Sequence, residues 1–283
     1  MIYNIIYYLF YFYFNLFFFP DIYLEKTFYM LNKDKLLINL ESLDAGGKGT
    51  QVKLIVEYFE NQGKKVKHIH FPMYGYSDFS EMIAKFLRGE YGNNDEVDPT
   101  FVANIYAMDR YMYKNQLLKD IEEYDVVIMD RYVFSNMAYQ GAKIKNHIER
   151  NSLIWQVQNL EFEFLKLPYP DLVLFFDIPI NEIESRLNTE RVGDDRNYLE
   201  GKKDIHEKDI NFQSAVRDIY FELKLMKNFY IIDGYNEEGV LNPNDLFNSY
   251  KKHLKFNLID WSDIKNVPQK EIDKLKKLIK KFK

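Results

Sequence analysis

The chain of 283 residues contains no cysteine, which excludes a disulfide framework, thiolate metal sites and a cysteine nucleophile. That absence is compatible with a reducing compartment. Basic residues are not in excess: the formal net charge is -5, so no global positive field calls for nucleic acid. Charge is missing altogether from the first twenty residues, of which eleven are Tyr or Phe. A membrane anchor there would be interrupted by Asn4 and Asn15 and lacks a flanking Lys or Arg, and a secretory signal would need a basic start and a small-residue cleavage site. The favoured expectation is that translation begins at Met30, with a membrane as partner only if residues 1–20 are genuinely translated.

What the chain does contain is alternation. Short β-branched runs separated by helical patterns predict an α/β fold with a mainly parallel sheet, and the length suits one domain with a tail. The buried run Leu36 to Leu40 leads into Ser42-Leu43-Asp44-Ala45-Gly46-Gly47-Lys48-Gly49-Thr50, and a helical pattern follows, ending near Gly63. Strand, glycine-rich loop and helix is the order of a phosphate-binding P-loop. Backbone N–H groups from Ala45 to Thr50 would then converge on phosphate oxygens at a helix N-terminus. The strict pattern places Gly where Ser42 stands and Ser or Thr where Gly49 stands. A side chain at position 42 is expected to strain the turn.

Further along, Val66 to Phe71 reads as a strand stopped by Pro72, with His68 and His70 on one face. No third metal ligand is near, so a solvated strand face is the expectation. Short and long helices are predicted over Glu81 to Leu87 and from Pro99 to Asp120. Asp125 to Asp130 is a buried strand ending in a carboxylate, the Walker B arrangement, and Arg131 follows it directly. A helix is predicted from Ile148 to Leu165, then a strand from Pro170 to Pro179 and a helix from Ile180 to Thr189. The polar stretch from Arg191 to Asp204 is either a solvated loop or a mobile lid. Phe229 to Gly234 is the last strand, and Ile272, Leu275, Leu278, Ile279 and Phe282 form the apolar stripe of a lysine-rich helix.

From about Leu36 to Asp233 the chain resembles the thymidylate kinases, P-loop nucleoside monophosphate kinases. The resemblance rests on Glu41 to Asp44 with Gly47 to Gln51, Phe71-Pro72, Tyr106 to Arg110, and above all Asp130 to Ala142, which a generic P-loop protein has no reason to contain. It implies a P-loop NTPase-type three-layer sandwich: a five-stranded, mainly parallel sheet flanked by helices, with a mobile lid. It also implies a cytoplasmic homodimer that moves the γ-phosphoryl of ATP to dTMP with Mg²⁺. Residues 1–29 would stand apart from the enzyme, 30–255 would form it with a lid at about 190–204, and 256–283 would be the tail.

The same resemblance implies roles. Lys48 would neutralise the transferring phosphoryl, and the backbone of Ala45, Gly46, Gly47, Lys48, Gly49 and Thr50 would bind ATP. Asp44 would meet the sugar 3′-hydroxyl, Tyr106 stack on thymine, Arg110 donate to a base carbonyl and Tyr139 crowd the 2′ position. Phe71, Ser135 and Gln140 would complete the dTMP site. Asp130 would organise Mg²⁺, through water, and Arg131 the phosphates. The acceptor is already an anion, so no Ser, His or Cys nucleophile is required. Three departures stand out: Ala45 occupies the place of a P-loop arginine found in some members, Gly49 carries no Mg²⁺ hydroxyl, and Met73-Tyr74 follow Phe71-Pro72 where an arginine often holds the acceptor phosphate. The first points to Arg191 and Arg196 of the lid as catalytic cations, and the third to Arg88, Arg110 or Arg131. The alternatives are a deoxynucleoside kinase, which would need a carboxylate base for which Glu41 is not obviously placed, and a nucleotide-binding protein that no longer catalyses.

Overall fold

A computed structural model describes residues 35–189, 194–202, 204–207 and 209–255. The aromatic N-terminal run, Arg191 and the lysine-rich tail lie outside the described residues, as does the side chain of Arg196. Leu36–Leu254 forms one compact unit. Its centre is a five-stranded sheet in the order β2-β3-β1-β4-β5, comprising β1 (Leu36–Ser42), β2 (Val66–His70), β3 (Val126–Asp130), β4 (Leu172–Asp177) and β5 (Phe229–Asp233). All neighbours are parallel. Strands β1, β3 and β4 are buried along their whole length, which is why their sequences are nearly continuous apolar runs rather than alternating ones. Register does the positioning. Leu40 and His70 both pair with Asp130, so the loop after β1, the end of β2 and the end of β3 meet at one carboxyl edge of the sheet.

The helices are α1 (Lys48–Glu60), α2 (Asp78–Leu87), α3 (Pro99–Glu123), α4 (Val133–Gly141), α5 (His147–Gln158), α6 (Ile180–Asn188), α7 (Ile210–Leu223) and α8 (Pro243–Tyr250). Helix α1 packs on α8, while α2 to α5 and α7 pack on one another. Their starts are chemically set. Asp98 caps α3 with Pro99 at the first position, as the sequence predicts, and Ser77 forms a reciprocal capping box with Ser80 that begins α2 three residues before the predicted Glu81. The pattern reading did not foresee α4, α7, α8 or the short hairpin of β6 (Tyr235–Asn236) and β7 (Gly239–Val240). The helix predicted as continuous from Ile148 to Leu165 is not: after Gln158 it widens into a π-helical segment, Asn159–Phe164, which swings Glu161 into the interior.

The polar stretch also differs from a solvated loop. Asp194–Leu199 is a 3₁₀ turn, and Leu199 and Ile205 join Ile83, Phe86, Leu87, Val102 and Ile105 in a buried cluster. Tyr198 stacks on Tyr74 at 4.1 Å between ring centres. Its carbonyl accepts from Arg88, whose remaining donors go to Glu90 and Glu81. Apolar burial on α2 and α3 therefore holds this end of the segment in place.

Candidate functional site

The loop between β1 and α1 has two left-handed residues, Ala45 at φ 60° and Gly47 at φ 81°. Ser42 is not one of them, which corrects the expectation of strain there. It is the last residue of β1, buried, and its Oγ donates to the Leu43 carbonyl at 2.8 Å. The steric demand moves instead to Gly46, where a Cβ would come within 2.8 Å of Ser42 Cβ. The Ser42 side chain, together with the Leu43 carbonyl 3.0 Å away, thus leaves room only for glycine four residues later. In the run from Ala45 to Thr50 the amides of Gly46 and Thr50 turn to the Leu43 and Gly47 carbonyls. The other four face no backbone acceptor among the described residues and stand at the positive end of α1, a geometry that suits an anion.

Lys48, the first residue of α1, is ion-paired with Asp130 at the end of β3. His70 Nδ1 lies 3.5 Å from the other carboxylate oxygen, so His70 belongs to this centre rather than to a merely solvated strand face. Burial pushes the Asp130 carboxyl up, but Lys48 and His70 overcome it and hold it far below the usual carboxylate range. The centre therefore offers a permanently ionised carboxylate beside a cation. No group of three or more His, Asp or Glu residues among the described residues could hold a metal alone. A hard cation here would complete its shell with water and phosphate oxygens, which fits Asp130 with Gly49 lacking a hydroxyl.

Arg131, in a left-handed conformation at φ 63°, turns back over the loop. Its Nη2 donates to Asp44 at 2.5 Å and to the Tyr139 hydroxyl at 3.2 Å, and its Nη1 to the Ser42 carbonyl at 3.2 Å and Ser135 Oγ at 3.3 Å. Gln213 of α7 donates to the second Asp44 oxygen at 2.8 Å and accepts from the Asp44 amide at 3.3 Å. Asp44 is partly buried, and desolvation raises its carboxyl, yet Arg131, His206 and Gln213 leave it lowered overall. Its neighbour in charge, Asp204, is pushed up to about 7, by burial first and then by Asp44. Asp44, Arg131, Ser135 and Tyr139 are thus brought together as one cluster beside the loop.

The remaining expected residues lie around it. Tyr106 is half-buried against the Ile83 cluster. One turn on, Arg110 is buried and gives Nε and Nη2 to Glu161 at 2.5 and 2.6 Å. Phe71 is buried in an aromatic group with Tyr113 and Tyr132. Gln140 is buried with Oε1 unpartnered among the described residues. Glu41 is saturated: it accepts from the Tyr132 amide, Ser135 and Tyr220 and is fully buried, so it is no free base. Arg88 is spent on α2 and the 3₁₀ segment.

Sequence reasoning noted His70 but read it as a solvated strand face, and it missed Gln213, Glu161, Asn136 and Arg186. Arg186 Nη1 donates to the Ala45 carbonyl at 3.3 Å from α6, and Asn136 gives its amide hydrogens to Ala103 and Glu161 while its Oδ1 has no partner among the described residues. Only Asn136 carried a signal, standing inside the Asp130 to Ala142 stretch.

The chain is similar to known proteins over most of its length. Residues 40–242 match the family model for thymidylate kinase. The Mycobacterium tuberculosis thymidylate kinase is 32% identical over 189 residues, covering 66% of this chain and 85% of that one. The Thermosipho africanus thymidylate kinase is 30% identical over 201 residues, 70% of this chain and 90% of its own. A solved thymidylate kinase from Candida albicans has the same fold with a TM-score of 0.53 at 23% identity, over 80% of this chain and 95% of that one. With the phosphate loop, the Lys48 to Asp130 pair and the Asp44 to Arg131 cluster all inside the matched span, the chain belongs to the thymidylate kinase family.

Proposed function

We propose that the chain catalyses ATP + dTMP → ADP + dTDP through the residues gathered at the carboxyl edge of the sheet. The observation that carries this is the adjacency of two centres across one residue boundary: Asp130 paired with Lys48, and Arg131 clamped to Asp44. A phosphate oxygen of dTMP attacks the γ-phosphorus of ATP, the bond from that phosphorus to the bridging oxygen breaks, and ADP leaves with the electron pair. No proton need be removed from the nucleophile. The work left to the protein is positioning and charge. Lys48 and the loop amides hold the donor phosphates, Arg186 buttresses the loop from α6, and Arg131 faces the gap between donor and acceptor. Arg88 is engaged by Glu81, Glu90 and the Tyr198 carbonyl, and Arg110 by Glu161; Arg131, already beside the loop, is the candidate of the three for the acceptor phosphate and would exchange part of its contact with Asp44 to meet it.

Asp130 would hold Mg²⁺ through water, and the ion would supply neutralisation of the polyphosphate. On the acceptor side Asp44 takes the 3′-hydroxyl, the Tyr139 ring closes the 2′ face, Tyr106 stacks on the base, and Asn136 Oδ1 offers an acceptor to the base edge. Arg191 and Arg196 supply the cation that Ala45 does not. We also place the enzyme in the cytoplasm as a homodimer. No helix among the described residues is long and apolar enough to cross a membrane.

The test is a coupled ADP-release assay with purified protein, ATP and Mg²⁺, offering dTMP, dUMP, thymidine and AMP in turn. Turnover with dTMP and none with thymidine is the expected result. Turnover with thymidine alone, or binding without turnover, would overturn the proposal.

A further inference from the structure

We propose that Glu161 sets the base specificity of the acceptor site by locking the side-chain amide of Asn136, so that the site takes a pyrimidine with an N3–H and rejects one with an N3 lone pair. The inference rests on the function proposed above.

Three N–H donors converge on the two oxygens of Glu161, so the group acts there only as an acceptor. Glu161 is fully buried, carried inward by the π-helical segment, and accepts from Arg110 Nε, Arg110 Nη2 and Asn136 Nδ2 at 2.5, 2.6 and 2.8 Å. The second hydrogen of Asn136 Nδ2 goes to the Ala103 carbonyl at 2.9 Å. Both partners of that nitrogen are therefore acceptors. Rotating the amide by half a turn would press its oxygen against two oxygens, so Oδ1 is fixed on the opposite side. There it is buried with no partner among the described residues, on a side chain only 2% exposed. A buried acceptor left unpaired is costly until a donor arrives.

Asn136 lies on α4 between Ser135 and Tyr139, and Arg110 follows Tyr106 by one turn of α3. A base stacked on Tyr106 presents its edge to this pair. Thymine and uracil carry N3–H beside the O4 carbonyl, matching Oδ1 as acceptor and the Arg110 Nη1 that Glu161 does not use as donor. Cytosine carries a lone pair at N3 and an amine at C4, so both contacts are reversed. Glu161 acts through Arg110 and Asn136 and touches no substrate, which makes it a positioning residue.

Glu161→Gln replaces the acceptor-only group with one that also donates, and frees the Asn136 amide to turn. The measurement is kcat/KM for dTMP, dUMP and dCMP in wild type and variant. The expected result is a loss of roughly 10- to 100-fold on dTMP and dUMP with little loss on dCMP, narrowing the dTMP:dCMP ratio at least about tenfold. The dTMP:dUMP ratio, which reports only the 5-methyl group, should hold. Equal losses on all three would mean a merely structural role and would overturn the proposal. Should Glu161→Gln fail to fold by circular dichroism, Asn136→Ala removes the locked acceptor and must narrow the same ratio; an unchanged ratio there overturns it too. A wild-type enzyme that turns over none of the three would instead overturn the underlying reading of the function.

Discussion

Asp109 is fully buried, and its carboxyl is pushed up to about 6 by burial, against the opposing pull of the Met73 amide and Arg110. One oxygen accepts from that amide at 3.0 Å; the other has no partner among the described residues. His70 and Glu161 are the other charges it feels. A folded-state value above the unfolded one means that its contribution to stability is fully present below about pH 4 and is lost as pH rises through about 6. At pH 7.5 the ionised group then costs up to ~3 kcal/mol. Asp109→Asn keeps an acceptor for Met73 and removes the charge. Thermal melts should show the variant gaining on wild type between pH 5 and pH 7.5; parallel melting curves across that range would refute the assignment. Lys48→Ala makes a second prediction at this scale: kcat should fall by roughly 10²- to 10³-fold, as for loss of an electrostatic donor. Near-normal turnover would remove Lys48 from the role given to it.

At the scale of elements, the phosphate loop works as a coupled pair of positions. A methyl group at Gly46 meets the Cβ of Ser42 at 2.8 Å, so Gly46→Ala should destabilise the protein by about 1–3 kcal/mol and weaken ATP binding. Because the two nearest atoms belong to the Ser42 side chain, Ser42→Gly in the same chain should restore part of the loss, the Leu43 carbonyl at 3.0 Å remaining as a tight contact. Additive effects in this double-mutant cycle, read by urea melts, would contradict the steric account. This pair also marks what the sequence could and could not carry. The strand, loop and helix around Lys48 are contiguous, so their chemistry is readable from spacing, and so is the Asp130-Arg131 end of β3. Which side chain pays for Ser42 is a matter of backbone path, invisible in the pattern. Glu161 is 51 positions from Arg110, and Gln213 is 169 from Asp44, distances over which spacing says nothing. Helix α7 was lost for another reason: its apolar positions Phe212, Val216, Ile219, Tyr220 and Leu223 have helical spacing, but the polar run before Asp209 hides where that period starts. Tyr198, Leu199 and Ile205 read as loop residues because the surface they bury belongs to α2 and α3, not to their own neighbours.

At the scale of the whole molecule, catalysis and assembly each ask for surface that a single site does not explain. The P-loop carries Ala45, and the described arginines of the site start from existing partners, Arg131 from Asp44, Arg110 through Nε and Nη2 from Glu161, and Arg186 from Glu182 and the Ala45 carbonyl. Charge that forms only as the phosphoryl moves is best supplied by a segment that arrives with the donor. Arg191→Ala or Arg196→Ala should therefore lower kcat more than it raises KM for ATP, and a pure KM effect would count against that role. The proposed homodimer would be built on apolar residues that the fold leaves uncovered. Met112 and Leu118 on α3, Ile148 and Trp155 on α5, and Phe164 at the end of the π-helical segment are all exposed, Trp155 at 64% and Phe164 at 79%. Isolated exposed apolar residues are ordinary, but aromatic side chains this open on adjoining elements are costly to leave in water, and Trp is enriched where subunits meet. A charge at the centre of such a contact has no partner and must be desolvated. Light scattering on a sizing column should find the wild type as a dimer and Trp155→Glu shifted toward monomer at the same concentration, with its melting temperature in dilute solution little changed. A wild type that elutes as a monomer at every concentration would leave these side chains without a partner of their own kind.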